Sequence, residues 1–389
     1  MLWINFLHLY QPVNADAHVI KEATEKSYMR IIRALEEHPN SKFTLNIQGG
    51  LFLRWEELGY QNLIMRIGKM FKKGQIELTS TCAFHPLAPL IPIEEVKKQI
   101  EENEIILKKK FGNDFCCKGF FLPEMAYGVE VARLIKEKGY EWLILDEITH
   151  SGTVGKIKHH QVYRDKNSDL KIVFRMRGLS QNFVPDILSQ EGRLKKYKSS
   201  DDFYITATDA EIYGLRHIDH TGEFEKFLSS SDLKTDTISG FIGSCSIEEA
   251  KLVASNWEST EEELKNKLPY ALWHHPKNNI QKKLWELANL AYKVINENQD
   301  DENYYWARWH LVRGFASCTF WWASGRDFKL FGNISWSPDE IERGVNEFIR
   351  GVRALQKENT RKSKMKAERL YIKVKQLVWN KHWNYIWKK

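Results

Sequence analysis

Four carboxylates stand at or near the ends of short apolar runs, in settings that could do proton-transfer or nucleophile chemistry. Glu77 lies in Gln75-Ile76-Glu77-Leu78-Thr79, and Glu124 closes Gly119-Phe120-Phe121-Leu122-Pro123-Glu124. Asp209 and Glu211 alternate in Thr208-Asp209-Ala210-Glu211. The first run of the chain ends in His8-Leu9-Tyr10-Gln11-Pro12, and His85 follows the Glu77 run in Phe84-His85-Pro86. One carboxylate can serve as nucleophile or base while a second donates a proton, and His, Gln and Tyr can hold hydroxyl groups. The set therefore suits chemistry at a glycosidic bond. A lone carboxylate after a strand is usually a helix cap or a turn former. Its recurrence at successive strand ends is what makes the set specific.

Those residues need strands that deliver them to one end of a sheet. Short apolar runs at Leu2–Leu9, Phe43–Ile47, Gln75–Thr79, Lys118–Leu122, Trp142–Asp146, Phe203–Ala207 and Asp236–Ile242 read as strands buried on both faces. Amphipathic stretches at Ala17–Glu37, Ile93–Phe111 and Val129–Lys138 read as the helices between them. Alternation of this kind predicts an α/β fold with a mostly parallel sheet, and about seven strands suggest an α/β barrel, complete or incomplete. In such a barrel the working residues sit where strands end. No GxGxxG follows the first strand and no GxxxxGK[ST] occurs, so a nucleotide-binding sheet is disfavoured.

Beyond residue 246 the pattern turns helical. Helices are predicted over Ser246–Ser255, Glu261–Leu268, Asn279–Asn296, Tyr304–Cys318, Pro338–Glu358 and Lys364–Trp387, with no convincing strand. Eleven of the 14 tryptophans lie from Trp257 onward. The expected organisation is a barrel over residues 1–260 and an α-helical region over 261–389 packed on it, ending in a basic, Trp-rich helix. Trp273, Trp321 and Trp322 are candidates for stacking on a pyranose, although helical tryptophans more often belong to a core. Trp379, Trp383 and Trp387 recur every four residues and are expected to pack as one stripe on the barrel or on a partner subunit.

The sequence also resembles glycoside hydrolase family 57, retaining α-glucan-active enzymes with an incomplete (β/α)7 barrel. Tyr10-Gln11-Pro12 stands where that family has His-Gln-Pro, and Gly74-Gln75-Ile76-Glu77 matches its second region. Phe121-Leu122-Pro123-Glu124 resembles the third, whose Glu is the nucleophile. Asp209-Ala210-Glu211-Ile212-Tyr213-Gly214 resembles the fourth, whose Asp is the general acid/base. A looser fifth region runs from Trp306 to Phe328. The resemblance implies Glu124 as nucleophile and Asp209 as proton donor, then as base toward water or an acceptor sugar. That role asks for a raised Asp209 pKa, and Glu211 on the same strand face is its rival for the acid role. His8, Tyr10, Gln11, Glu77, His85 and Glu211 are then expected as substrate-binding walls, with His8 able to replace the missing family His at position 10. Glu77 reads equally as a structural ion-pair member. Asp146 could line the pocket or cap a turn, and Arg175 and Arg177 could pair with cavity carboxylates or face solvent.

Composition narrows the alternatives. The net charge of +7 divides into +11 over residues 350–389, with thirteen basic and two acidic residues, and −4 over the remainder. The tail lacks a nucleic-acid-binding signature and reads as a solvated face, so no nucleic-acid partner is expected. Five cysteines without a CxxC pair, and an N-terminus without signal-peptide character, fit a cytoplasmic protein. No apolar stretch is long enough for a spanning helix, so no membrane partner is expected. The 13 histidines include no i, i+4 pair, which disfavours a metal-dependent carbohydrate deacetylase. A non-catalytic glucan-binding barrel is the other alternative. The expected substrate is an α-glucan or oligosaccharide, no cofactor or metal is called for, and a homo-oligomer is left open.

Overall fold

The computed structural model describes residues 1–158, 160–190, 203–325 and 336–387. Phe328, and the side chain of Trp387, lie outside the described residues. The chain divides into two compact units, one of Met1–Ala83 with Ala88–Trp257, the other of Phe84–Leu87 with Glu258–Lys389.

The first unit holds two sheets. One has the order β3-β2-β1-β8, all parallel: β1 is Leu2–Leu9, β2 Phe43–Ile47, β3 Ile76–Thr79 and β8 Phe203–Asp209. A short strand β9, Lys234–Asp236, also pairs with β1. The other sheet has the order β10-β6-β7-β5-β4: β4 is Gly119–Phe120, β5 Trp142–Asp146, β6 Val162–Asp165, β7 Lys171–Arg175 and β10 Ile247–Ala250. Only β6 and β7 pair antiparallel. A parallel bridge between Ser80 and Phe120 ties β3 to β4, and the Met176 N–H donates to the Ile205 carbonyl at 2.9 Å, tying the end of β7 to β8.

β1 is buried on both faces, as a strand between a helical layer and an inner face must be. Trp3, Leu7 and Leu9 join the apolar cluster that also holds Ile31, Leu35, Phe52 and Trp55 from the helices. By strand alternation Ile4, Phe6 and His8 face the other way. At Gly119 a Cβ would stand 2.1 Å from the Trp142 ring, so the first residue of β4 has room for no side chain.

Two sequence expectations fail here. Asp236–Ile242 is not a strand: β9 ends at Asp236, the Thr237 hydroxyl caps the Gly240 N–H, and Ile238–Ser244 forms a helix. Ile238, Phe241 and Ile242 already carry helical spacing, and the Thr cap supplies the start. Ser246–Ser255 is not a helix, because Ile247–Ala250 pairs with β6; its Glu-rich helical propensity yields to tertiary pairing.

In the second unit the main helices are Asn279–Glu297, Tyr304–Gly314, Pro338–Ala354 and Arg361–Trp387, with short ones at Glu261–Lys265 and Ser317–Trp321. The expected Tyr304–Cys318 helix breaks at Phe315 and Ala316. The last helix buries Ala367, Val374 and Val378; of the predicted tryptophan stripe, Trp379 is half-buried and donates to Glu342, whereas Trp383 is 47% exposed. Among the described residues no helix is long and apolar enough to cross a membrane.

Candidate active site

Glu124 follows β4 in a tight turn begun by Pro123. Its backbone is left-handed (φ 60°), as is that of Met125 (φ 48°), a conformation that costs a non-glycine residue about 1 kcal/mol or more. The turn is held by the Met125 N–H to the Leu122 carbonyl at 2.8 Å and by Trp257, which grips Glu124 twice. The Trp257 indole N–H donates to Glu124 Oε2 at 2.9 Å, and its backbone N–H donates to the Glu124 carbonyl at 3.2 Å. Strain fixed in this way aims a side chain, as at many working sites.

Asp209 is the last residue of β8 and the direct register partner of His8 on β1. It accepts an ion-pair hydrogen bond from Arg216 at 2.7 Å. The buried His8 ring bonds through Nδ1 to Asn46 Oδ1 at 2.9 Å, and Asn46 Nδ2 donates to Thr79 Oγ1 at 3.0 Å. A polar ladder thus crosses β1, β2 and β3 at the level of Asp209. Burial pushes the His8 pKa down to about 4 despite the opposing pull of Asp209, so the imidazole is neutral at pH 7. Its ring packs 4.5 Å from that of Phe121, stacks on Tyr10 at 5.6 Å and meets the edge of Trp257 at 6.3 Å. The aromatic cluster therefore runs from the Asp209 strand pair to the residue that holds Glu124.

Glu211, buried, accepts from Gln11 Nε2 at 2.9 Å and from the Tyr28 hydroxyl on the same oxygen. Burial, reinforced by Asp209, raises its pKa to about 7. Tyr28 comes from a π-helical turn, Thr24–Tyr28, inside the first helical stretch. The extra residue of such a turn redirects side chains; here Ser27 bonds the Ala210 carbonyl while Tyr28 reaches Glu211.

The structure thus brings together His8, Tyr10, Gln11, Glu124, Asp209 and Glu211 in the first unit. Glu77 stands apart. In register with Thr44 and Phe6, it lies one layer below His8, accepting from Thr44 Oγ1 at 3.1 Å and from the Ser239 N–H at 3.0 Å. Its carboxyl is held by these hydrogen bonds, one layer from His8. His85 belongs to the second unit, where its Nδ1 meets Ser317 Oγ at 3.0 Å. Trp273, in the same unit, is fully buried, and its carbonyl accepts from Trp285; it is a core residue with no ring face to offer a sugar. Trp321 and Trp322 are half-buried, with ring centroids 4.7 Å apart. Asp146 neither lines the mouth nor only caps: fully buried, it binds both Arg175 and Arg177.

Sequence reasoning missed Trp257, Tyr28 and Arg216. Tyr28 lies in the middle of an amphipathic helical stretch, and only the π turn singles it out. Trp257 is the last residue of the first unit, with no motif around it. Among the described residues no group of three or more His, Cys, Asp or Glu side chains is placed to hold a metal ion.

Comparison with known proteins adds to this geometry. An α-amylase of Pyrococcus horikoshii is 30% identical over 188 residues, covering 47% of this chain and 29% of its own length. The chain thus spans less than a third of that relative. The crystal structure of a 4-α-glucanotransferase from Thermococcus litoralis superposes with a TM-score of 0.69 at 19% identity, covering 92% of this chain and 60% of that one. A branching enzyme from Thermococcus kodakaraensis also gives 0.69, at 12% identity, covering 96% and 95%. At those identities the two structures establish a shared fold. The model of the family described as Glycosyl hydrolase family 57 matches residues 4–249, well over half of the sequence, and the chain belongs to that family.

Proposed function

We propose that this chain is a retaining glycoside hydrolase or glucanotransferase acting on α-glucosidic bonds of α-glucans or maltooligosaccharides, built on an incomplete (β/α)7 barrel. β1, β2, β3, β4, β5, β7 and β8 would be the seven barrel strands. Glu124 attacks the anomeric carbon, and Asp209 protonates the leaving oxygen and then activates water or an acceptor hydroxyl. The observation that carries this reading is the fixing of Glu124 by Trp257 at one strand end, with an aromatic path from Trp257 to the His8–Asp209 register pair. His8, Tyr10 and Gln11 would bind sugar hydroxyls.

One observation favours a second assignment of the acid: the Glu211 carboxyl, with its pKa raised to about 7, keeps a substantial protonated fraction near neutral pH. The test is turnover of maltopentaose and of an aryl glucoside with an activated leaving group, for Glu124→Gln, Asp209→Asn and Glu211→Gln. Glu124→Gln should abolish both reactions. The variant of the true acid should lose maltopentaose turnover and keep glycosylation on the activated substrate. Unchanged maltopentaose turnover by Glu124→Gln would overturn the mechanism.

A further inference from the structure

Arg175, the last residue of β7, makes contacts that its strand position alone does not require. It is buried, and its Nε donates to Asp146 Oδ2 at 2.7 Å. The rest of the guanidinium points two ways. Nη1 donates to the Ala207 carbonyl at 2.9 Å, two residues before Asp209 on β8. Nη2 approaches the Trp257 carbonyl at 3.4 Å, and the guanidinium carbon lies 5.2 Å from the centre of the Trp257 ring. Trp257 is the residue that grips Glu124 through both its indole and its backbone N–H. One rigid planar fork therefore joins the strand that ends in Asp209 to the holder of Glu124.

A retaining mechanism depends on the separation of two carboxyl groups, about 5–5.5 Å against about 6.5–9.5 Å for inversion. Glu124 and Asp209 come from different sheets, and their spacing must be set by whatever spans them. On the mechanism proposed above, we infer that Arg175 is a positioning residue that fixes the Glu124–Asp209 separation by clamping the Ala207 carbonyl and Trp257 together. It touches neither substrate nor reacting atoms. Asp146 orients the fork from behind, and Arg177, whose Nε donates to the other Asp146 oxygen at 2.8 Å, braces Asp146 from its far side. The planar guanidinium is required because a lysine ammonium is a single point of charge and cannot serve both carbonyls and stack on the ring in fixed geometry.

The experiment measures kcat and KM on maltopentaose for Arg175→Lys, with Arg177→Gln and Glu124→Gln alongside and folding followed by circular dichroism. Arg175→Lys should lose about 100-fold in kcat, the scale on which misplacement by an ångström acts, with KM changed by no more than a few-fold. Arg177→Gln should lower the melting temperature yet leave kcat within a few-fold. If Arg175→Lys does not fold, Asp146→Asn takes its place, keeping every volume while releasing the back of the fork, and the same kcat-selective loss is expected. A folded variant of the clamp with wild-type kcat, a loss confined to KM, or an equal kcat loss in Arg177→Gln would each overturn the positioning role. Failure of the underlying mechanism would show separately, as turnover retained by Glu124→Gln.

Discussion

His8 and Asp209 are Cα partners across two parallel strands, yet the imidazole is held neutral next to the carboxylate. Burial outweighs the attraction that would otherwise favour an imidazolium. Two residues further on, burial and the same Asp209 raise the Glu211 pKa to about 7. Around Asp209 a neutral imidazole and a carboxyl that titrates near neutrality thus stand beside the Arg216 ion pair.

The two shifts oppose each other in stability. Glu211 costs nothing below its ordinary pKa of 4.5; from there to about 7 the unfolded chain ionises while the folded one keeps the proton, and stability falls. The full cost above that range is about 3 kcal/mol. His8 costs nothing above 6.5, and stability falls as the pH drops from there to about 4, because the unfolded chain takes up a proton that the folded one refuses. Between about pH 4.5 and 6.5 the two slopes cancel. Glu211→Gln should therefore leave stability unchanged at pH 4, raise it by up to about 3 kcal/mol at pH 8, and expose a rise with pH through the His8 window. Urea midpoints at half-unit pH steps measure this; a uniform shift at all pH values would show that Glu211 is not the titrating group.

The Trp257 indole bond to Glu124 makes a second expectation. Trp257→Phe keeps a ring for Arg175 and for the edge contact with His8 but removes the N–H. A hydrogen bond to a charged group is worth about 1.5–3 kcal/mol, so kcat should drop by roughly 10- to 100-fold with KM nearly constant. Steady-state kinetics on maltopentaose decide it, and an unaffected kcat would mean that the turn holds Glu124 unaided.

What the sequence made legible follows from locality. β1, β2 and β5 matched their apolar runs because a strand buried on both faces has few alternatives, and that placed the candidate site residues at strand ends. The apolar run around Glu77 does not tell which layer of the sheet it occupies; register with Thr44 does. Trp273 was offered as a stacking ring because its surroundings, Trp285 among them, are distant in sequence. Tyr28, Trp257 and the Arg175 fork act across sequence separations of up to 183, as in Tyr28–Glu211, and no local pattern announces them.

Gln48 and Thr81 extend β2 and β3 one layer beyond Asn46 and Thr79, and both side chains are buried. Among the described residues neither the Gln48 amide nor the Thr81 hydroxyl has a hydrogen-bond partner. A buried unpaired polar group costs about 1–3 kcal/mol, whereas an apolar group of the same shape does not. Gln48→Leu and Thr81→Val should each raise the urea midpoint, by about 1 kcal/mol or more in stability. Destabilisation by either would show that the group is satisfied in solution.

Glu77 gives the last expectation, one that separates its structural role from a sugar-binding one. Its carboxylate accepts from the Ser239 N–H, the Ser239 hydroxyl and the Thr44 hydroxyl, while burial raises its pKa. Glu77→Gln keeps the shape but turns one acceptor oxygen into a donor that faces other donors, leaving at least one buried bond unmade. The loss should be about 1–3 kcal/mol in stability, while KM and kcat for maltooligosaccharides stay within a few-fold of wild type. Thermal melts alongside kinetics at 25 °C below the melting point of either protein separate the two effects. A KM raised tenfold in a fully folded Glu77→Gln protein would return this residue to the substrate site, one layer above where its hydrogen bonds now place it.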